Sequence, residues 1–484
     1  MSAAFRAVHA LLTISCALSA RVSVAAAQQP APPVTPCAIR GITGEAGCAT
    51  VDVAENPSRP GGRRLQLFVA IARATETPVD ASPLVVLVGG PGQAGSDAGA
   101  FVTEAFGEVR RHRDVVLLDY RGTGRSNALR CRLYRTPSEL GAPSLYPAAS
   151  VRLCRDSLAA HADLRQYTTS RIADDIELIR HRFGWPTINV YGTSYGTRVA
   201  FALIRRYPSS IRAAVLKAVA PPTLAAPMNY ARDADRAFEL LVRDCDADSG
   251  CAAQFPALRA TLDRVLQNAR DGGVRGTTPS GDTVVVSAEA LAGAVLAAMQ
   301  STSERAQIPQ LLTMAAAGRT QPLAGAVLAA RLGLDQLVST GMHLSVMCSE
   351  DLARLDRRKA RRGAKGTFLG ASRVEMTIDA CRDWTPMPVE ATLRAPQRSD
   401  VPILLVSGEL DPNLPPTHVD SAMGLLRNGR HVVLRGVAHG WWNVARCGAQ
   451  FVAEFLEAAR VGAANAACGE RSSAPPFAGV SARP

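Results

Sequence analysis

The stretch Ile188–Arg205, INVYGTSYGTRVAFALIR, decides the fold that we expect for this chain. It begins with a short apolar run, which is typical of a buried strand, and ends with apolar residues at helical spacing. Between them lies Gly-x-Ser-x-Gly at residues 192–196. A strand, this motif and a helix in that order predict a tight, strained turn that exposes the hydroxyl of Ser194. Because the motif can arise by chance in a chain with 39 glycines, its partners elsewhere in the sequence must decide.

The composition is ordinary for a globular protein. The chain has 484 residues, which favours two lobes, and 47% of them are hydrophobic and 20% charged. The net charge of +12 comes mainly from arginine and forms no basic stripe interleaved with aromatic residues, so we expect no nucleic-acid partner. The densest basic cluster, residues 357–362, predicts a solvated helix face or loop, with contact to an anionic envelope surface as the alternative.

The N-terminal segment, residues 1–27, has the features of a signal peptide. A basic Arg6 precedes a mostly apolar or small region, and Ala25–Ala27 provides a cleavage site of the A-x-A type. We therefore expect an exported protein, either periplasmic or secreted. Cys16 raises a lipoprotein alternative, but Thr13 stands where such a signal has an aliphatic residue. No later run reaches about 18 apolar residues, so we expect no transmembrane span in the mature chain.

The cysteines support the same interpretation. Of the 11 cysteines, ten remain once Cys16 is removed, and an even number in an exported chain predicts disulfides. The sequence does not fix their connectivity, but neighbouring cysteines form five local pairs: 37–48, 131–154, 245–251, 348–381 and 447–468. Cys-x-x-Cys and zincin-type His pairs do not occur, so we expect neither a metal site nor a cofactor.

The order of apolar runs predicts a mostly parallel sheet covered by helices. A hairpin is expected first, and four buried strands that alternate with helices follow it. Alanine-rich helical patterns then dominate, which indicates an inserted helical cap, before two more strands and a final helix. The predicted segments are the first part of the core (28–222), the cap (223–395), the second part of the core (396–468) and a disordered tail (469–484).

A glycine-rich loop follows the first buried strand, at residues 89–95. It lacks the Lys-Ser/Thr of a phosphate-binding P-loop, because Ser96-Asp97 follow Gly95. Glycines there would instead let a backbone N–H approach a reacting carbonyl. We therefore predict an oxyanion hole formed by the N–H groups of Gly90 and Tyr195.

The remaining partners appear in the chain order serine, acid, histidine, which is the order of the α/β-hydrolase fold. Asp411 follows a predicted strand, and Glu409 is its rival but extends less far past the strand. His439 follows the last predicted strand. Two other histidines also come after the acid, but His418 is expected to begin a helix and His431 to begin a strand at the opposite edge.

These residues predict acyl-transfer chemistry. A serine hydroxyl is a poor nucleophile until a base takes its proton, and histidine titrates in the right range. Asp411 would fix the tautomer of His439 and stabilise its protonated form. Ser194 also disfavours haloalkane dehalogenase and epoxide hydrolase chemistry, which uses an aspartate nucleophile in this fold.

Four motifs resemble the proline iminopeptidase family of serine peptidases, and most closely its exported tripeptidyl-aminopeptidase branch. They are VGGPGQAG (88–95), DYRGTGRS (119–126), GTSYG (192–196) and SGELDP (407–412). The resemblance implies a hydrolase that cuts peptides from a free N-terminus, with a TAP-like C-terminal domain at about residues 380–470. Val88 departs from the histidine that opens this loop in proline iminopeptidases, which puts the prolyl specificity in doubt.

The same resemblance points to Cys348-Ser349-Glu350-Asp351, which is similar to a Cys-x-Asp element of that branch. An exopeptidase needs a carboxylate near the substrate ammonium, because an unpaired buried charge is costly. Glu350 and then Asp351 are the predicted substrate-binding residues. Two surface acids beside Arg354 and Arg357 are the alternative.

Two functions remain open, because the same triad hydrolyses peptides and esters. The first is an aminopeptidase, and the second is an esterase of small or lipid esters. An anionic cap pocket would favour amines, and an apolar one would favour acyl chains. A non-catalytic adhesion role would require a lost triad.

Overall fold

The computed structural model describes residues 30–480 apart from residues 78, 385 and 441–444. The predicted signal peptide and Cys16 therefore lie outside the described residues. A nine-stranded sheet crosses the molecule in the order β1-β2-β3-β5-β4-β6-β7-β10-β11. Its strands are β1 Thr35–Pro36, β2 Ala46–Ala54, β3 Arg64–Ala72, β4 Leu84–Leu87, β5 Val115–Leu118, β6 Ile188–Thr193, β7 Ile211–Lys217, β10 Ile403–Gly408 and β11 Gly429–Leu434.

The sheet is parallel from β5 to β11, whereas β1, β2 and β3 pair antiparallel at the other edge. The predicted hairpin and the six predicted buried strands are all present. The central strands are fully buried because helices cover both faces, which explains their continuous apolar runs. The predicted fold class, a mostly parallel sheet covered by helices, is confirmed.

Helices of the core flank this sheet. Those before the cap are α1 Gly99–Ala105, α2 Gly107–Arg110, α3 Pro137–Gly141, α4 Ala148–Ala159, α5 Thr169–Arg182 and α6 Tyr195–Arg206. Those after the cap are α17 Thr417–Met423, α18 Ala445–Ala458 and α19 Ala467–Glu470. Among the described residues, no helix combines the length and the hydropathy that a membrane crossing requires.

The cap is helical, as predicted, with a hydrophobic core of its own around Phe238, Leu262 and Leu312. It also contains a small antiparallel hairpin, β8 Arg275–Thr277 with β9 Thr283–Val285, whose strands are too short to give a sequence pattern. Its helices are α7 Tyr230–Ala247, α8 Ser249–Gln254, α9 Leu258–Arg270, α10 Ala288–Ala298, α11 Thr302–Arg305, α12 Ile308–Ala316, α13 Gln321–Leu337, α14 Thr340–Val346, α15 Arg357–Ala364 and α16 Ser372–Arg382.

The last part of the predicted cap packs on the core of the sheet. Met342 in α14, Cys381 in α16 and Trp384 belong to the main hydrophobic cluster, not to the cluster of the cap. This part of the chain therefore connects the two lobes, and the predicted cap segment 223–395 is less independent than its composition indicates.

Five disulfides pair the cysteines as the local neighbours predict: Cys37–Cys48, Cys131–Cys154, Cys245–Cys251, Cys348–Cys381 and Cys447–Cys468. Sequence separations run from 6 to 33 residues, so each bridge closes a short loop. A disulfide stabilises a fold mainly by restricting the unfolded chain.

The predicted disordered tail is wrong for residues 471–480, which we call the C-terminal strap. The N–H of Ala478 donates to the carbonyl of Ala306 in the cap at 3.0 Å. Phe477 and Val480 pack against the hydrophobic core of the cap. These apolar side chains give the segment a binding surface, which its Pro-, Ser- and Gly-rich composition conceals. Residues 481–484 lie outside the described part of the chain.

Candidate active site

Ser194 occupies the tight turn between β6 and α6. Its backbone has φ 55° and ψ −123°, a region that non-glycine residues rarely adopt. A side chain at Gly196 would overlap the carbonyl oxygen of Leu87, and one at Gly192 would lie 2.8 Å from the carbonyl oxygen of Gly196. The two glycines of the motif are therefore required by close backbone approach, and together they hold the serine in its strained position.

The oxyanion loop predicted after β4 lies directly against the serine. A Cβ placed on Gly89 would be 3.1 Å from Cβ of Ser194 and 3.6 Å from its hydroxyl oxygen. Gly90 has a φ of 110°, which requires a glycine. The structure thus brings the loop and the serine together. The roles of the Gly90 and Tyr195 N–H groups as oxyanion donors stay predictions.

Asp411 and His439 form a hydrogen-bonded pair. Nδ1 of His439 lies 2.8 Å from Oδ2 of Asp411, which is fully buried. The other carboxylate oxygen accepts the N–H groups of Asn413 and Leu414, each at 2.9 Å. Burial by itself would raise the pKa of Asp411, but His439, Lys217 and the Leu414 N–H outweigh it and lower the pKa to about 2. The carboxylate is therefore ionised and can hold the imidazole with Nε2 available as a base.

The rival residues have other partners. Glu409 accepts the N–H of Gly436 at 3.1 Å. His431 contacts the hydroxyl of Ser407 at 2.9 Å, and Nε2 of His418 lies 2.9 Å from Asp233 on the cap helix α7. Of the three histidines that follow the acid in the chain, His439 is the one that forms a hydrogen bond with Asp411.

Lys217 is a buried charge that the sequence analysis did not single out. It ends β7, between the strand of the serine and the strand of the acid, and only 2% of its surface is exposed. Burial lowers the pKa of Lys217 to about 8, against the opposing attraction of Asp411. A lysine within an apolar strand, as in AAVLKAV (213–219), is the signal that could have identified it.

The cap contacts the glycine-rich loop and the loops that carry Asp411 and His439. The N–H of Ser339 donates to the carbonyl of Gly92 in the oxyanion loop at 2.8 Å. Arg236 donates to the carbonyl of Asp411 at 2.8 Å. The N–H of Gly440, the residue after His439, donates to the carbonyl of Gln300 at 3.0 Å. These contacts place the cap against the loops of the candidate site.

Glu350 and Asp351 are already bound to groups of the protein itself. The carboxylate of Glu350 accepts both the N–H and the hydroxyl of Thr169, each at 2.7 Å. Asp351 pairs with Arg198 at 2.8 Å and with Arg354 at 3.3 Å. Both acids are buried beneath the first turn of α6. These contacts argue against the predicted binding of a substrate ammonium, and we do not retain that role. Within the described ranges no group of three or more His, Cys, Asp or Glu side chains could hold a metal ion.

Two family models match the chain. One, described as alpha/beta hydrolase fold, matches residues 82–253. The other, described as TAP-like protein, matches residues 366–468. With the strand order, these matches assign the chain to the α/β-hydrolase fold. Its C-terminal region is similar to the TAP-like protein family.

Curated relatives include peptidases and an esterase. Serine protease Hip1 of Mycobacterium tuberculosis (strain ATCC 25618 / H37Rv) is 28% identical over 228 residues, 43% of each chain. Tripeptidyl aminopeptidase of Streptomyces lividans is 28% identical over 194 residues, 36% of each chain. Carboxylesterase B of the same M. tuberculosis strain is 31% identical over 230 residues, 44% of this chain and 42% of the relative. The matches span less than half the length of each relative.

Among solved structures, proline iminopeptidase of Mycobacterium smegmatis is 17% identical, with a TM-score of 0.43. The likeness covers 86% of this chain and 100% of that one. The assignment of the fold rests on the family models and the strand order.

Proposed function

We propose that this protein is a serine aminopeptidase, which releases short peptides or single residues from free N-termini through an acyl-enzyme. The observation that carries the proposal is the hydrogen bond between His439 and the buried Asp411, in a site whose serine is held in the strained turn against the glycine-rich loop. Strand-end loops of one parallel sheet supply all three residues, which supports their assignment as a triad.

The reaction follows from these positions. His439 removes the proton of Ser194 as the hydroxyl attacks the scissile carbonyl, and Asp411 stabilises the imidazolium that forms. The N–H groups of Tyr195 and Gly90 bind the developing oxyanion. His439 then gives its proton to the leaving amine, and water hydrolyses the acyl-enzyme by the same steps in reverse.

Two observations support cleavage at chain ends. The cap is hydrogen-bonded to the glycine-rich loop and to the loops of Asp411 and His439, which favours short or extended substrates over folded polypeptides. In addition, the TAP-like match and the relatives named as a serine protease and a tripeptidyl aminopeptidase favour a peptide substrate.

An esterase is the second candidate, because one relative is named Carboxylesterase B and ester hydrolysis uses the same machinery. Purified protein should be tested on aminoacyl- and tripeptidyl-arylamides beside p-nitrophenyl esters, with S194A as the inactive control. Arylamide turnover that disappears on N-terminal acetylation supports the aminopeptidase. Ester turnover without cleavage of any arylamide would assign the esterase instead.

Export is part of the proposal. Five disulfides favour an oxidising compartment, either the periplasm or the medium. We expect cell fractionation to find the protein outside the cytoplasm, with a mature N-terminus at Gln28. A full-length protein confined to the cytoplasm would contradict this expectation.

A further inference from the structure

A chain of hydrogen bonds connects Glu350 with the residue after the nucleophile. Both oxygens of the Glu350 carboxylate accept from Thr169, one from its N–H and the other from its hydroxyl, at 2.7 Å each. The Thr169 hydroxyl oxygen in turn lies 2.8 Å from the phenol oxygen of Tyr195. All three residues are buried.

Thr169 fixes the direction of this chain. Its single hydroxyl proton is directed to Glu350, whose pKa is raised by burial against the opposing effect of the two bonds from Thr169. The phenol of Tyr195 must then donate to Thr169. The ring of Tyr195 is therefore anchored at its far end by Thr169, which Glu350 holds in turn.

Glu350 belongs to a π-type turn, Met347–Asp351, which also contacts α6 directly. Asp351 pairs with Arg198, one helical turn beyond Ser194, at 2.8 Å. The disulfide between Cys348 and Cys381 ties the same turn to α16. Both neighbouring carboxylates of the turn thus hold the first turn of the helix that begins immediately after the nucleophile.

We propose that Glu350 is a positioning residue, which acts through Thr169 and the ring of Tyr195 to hold the Tyr195 N–H where the oxyanion develops. The inference rests on the proposed function, because it assigns a task within the same site. Ser194 adopts a strained backbone, and such a conformation persists only where its surroundings over-determine it. The anchored tyrosine ring supplies one such constraint on the peptide group between Ser194 and Tyr195.

The test measures the rate at which a fluorophosphonate probe phosphonylates Ser194 in full-length protein. This reaction passes through a charged oxygen at the same place as hydrolysis does and needs no assumption about the natural substrate. We expect E350Q and Y195F each to slow it about tenfold, less than the 10²–10³-fold cost of removing an oxyanion donor outright. Where arylamides are cleaved, kcat should fall and KM should stay unchanged.

A double-mutant cycle separates this chain from a general weakening of the fold. Because Glu350 acts only through the phenol of Tyr195, the double variant E350Q/Y195F should react no more slowly than Y195F. Multiplicative losses, or wild-type rates in the single variants, would overturn the inference. E177Q removes a partly buried carboxylate from the same helix as Thr169, away from the elbow, and should react at the wild-type rate.

If thermal unfolding shows that E350Q does not fold, variants of Thr169 replace it in the test. T169V removes the hydroxyl and keeps the size of the side chain, and T169S restores the hydroxyl. We expect T169V to be phosphonylated more slowly than wild type and T169S to recover the wild-type rate. Equal rates in the two variants would reject the inference. If the probe modifies wild-type protein but no arylamide is cleaved, the proposed substrate is refuted, and the double-mutant cycle can still be measured with the probe. Wild-type protein without any phosphonylation removes both proposals.

Discussion

The backbone N–H of Ser194 donates to the carbonyl of Lys217 at 3.0 Å. The residue that ends β7 therefore holds the nucleophile turn with its backbone, and its side chain places a buried positive charge close enough to affect Asp411. A single strand position thus influences both the serine and the acid. Lysine is rarely buried without such a partner.

Replacing Lys217 should move the pH dependence of the reaction. In K217M the negative charge of Asp411 is less compensated, so protonated His439 is stabilised and persists to higher pH. We expect the acid limb of the pH profile of kcat/KM to move upward by about one unit. Burial lowers the pKa of Lys217 to about 8, so the two profiles should converge above that pH, where the wild-type lysine is neutral.

K217R is the matched variant, because it keeps the charge in a longer side chain. An acid limb at the wild-type position in K217R and a shifted one in K217M would establish the electrostatic role. An unmoved limb in both variants would refute it.

Replacing Asp411, the proposed acid of the triad, should nearly abolish turnover. D411N keeps the size of the side chain but loses the charge and the correct tautomer of His439, and we expect kcat to fall about 10³–10⁴-fold. E409Q is the control two residues away, since the Glu409 carboxylate accepts the Gly436 N–H and not a bond from His439. A larger loss in E409Q than in D411N would exchange the two assignments.

Asp411 also predicts how stability depends on acid. Its pKa is lowered in the folded state to about 2, from 3.8, so the folded state favours the ionised form. This contribution is complete above about pH 4 and is lost as the pH falls through about 2, which amounts to about 2 kcal/mol. The free energy of unfolding of wild type should therefore fall more steeply than that of D411N over this range. Parallel curves in urea titrations would contradict the prediction.

The bridge between Cys348 and Cys381 should contribute strongly to stability, because it closes the longest of the five loops, with a separation of 33 residues. Its replacement in C348A/C381A should lower the free energy of unfolding by about 2–4 kcal/mol. C245A/C251A, which opens a loop with a separation of 6 residues, should cost less. Denaturant unfolding measures both, and an equal or opposite order would argue against loop length as the cause.

The sequence was sufficient where the signal is local. Apolar runs predicted the buried strands, and the spacing of glycines around Ser194 predicted the turn that the structure contains. The five disulfides join the neighbouring cysteines that the sequence offers as pairs, although the sequence alone leaves their connectivity open. The choice of His439 over His418 and His431 rested on the topology, since ligand-binding loops of a parallel sheet lie at one edge, and its hydrogen bond with Asp411 agrees with that choice.

Long-range partners were beyond the sequence. From the sequence, Glu350 is a carboxylate that could bind a substrate ammonium. Only the structure shows its contact with Thr169, 181 residues away in the chain. The charge of Lys217 matters only once β7 is placed between β6 and β10. The C-terminal strap was misjudged because its few apolar residues pack on a distant lobe and form no periodic pattern.

The C-terminal strap has a consequence for the movement of the cap. It runs from beside Gly436, next to the loop of His439, to the carbonyl of Ala306 in the cap, and so joins the lobes a third time. Any movement of the cap away from the loop of His439 would therefore have to break the contacts of the strap first.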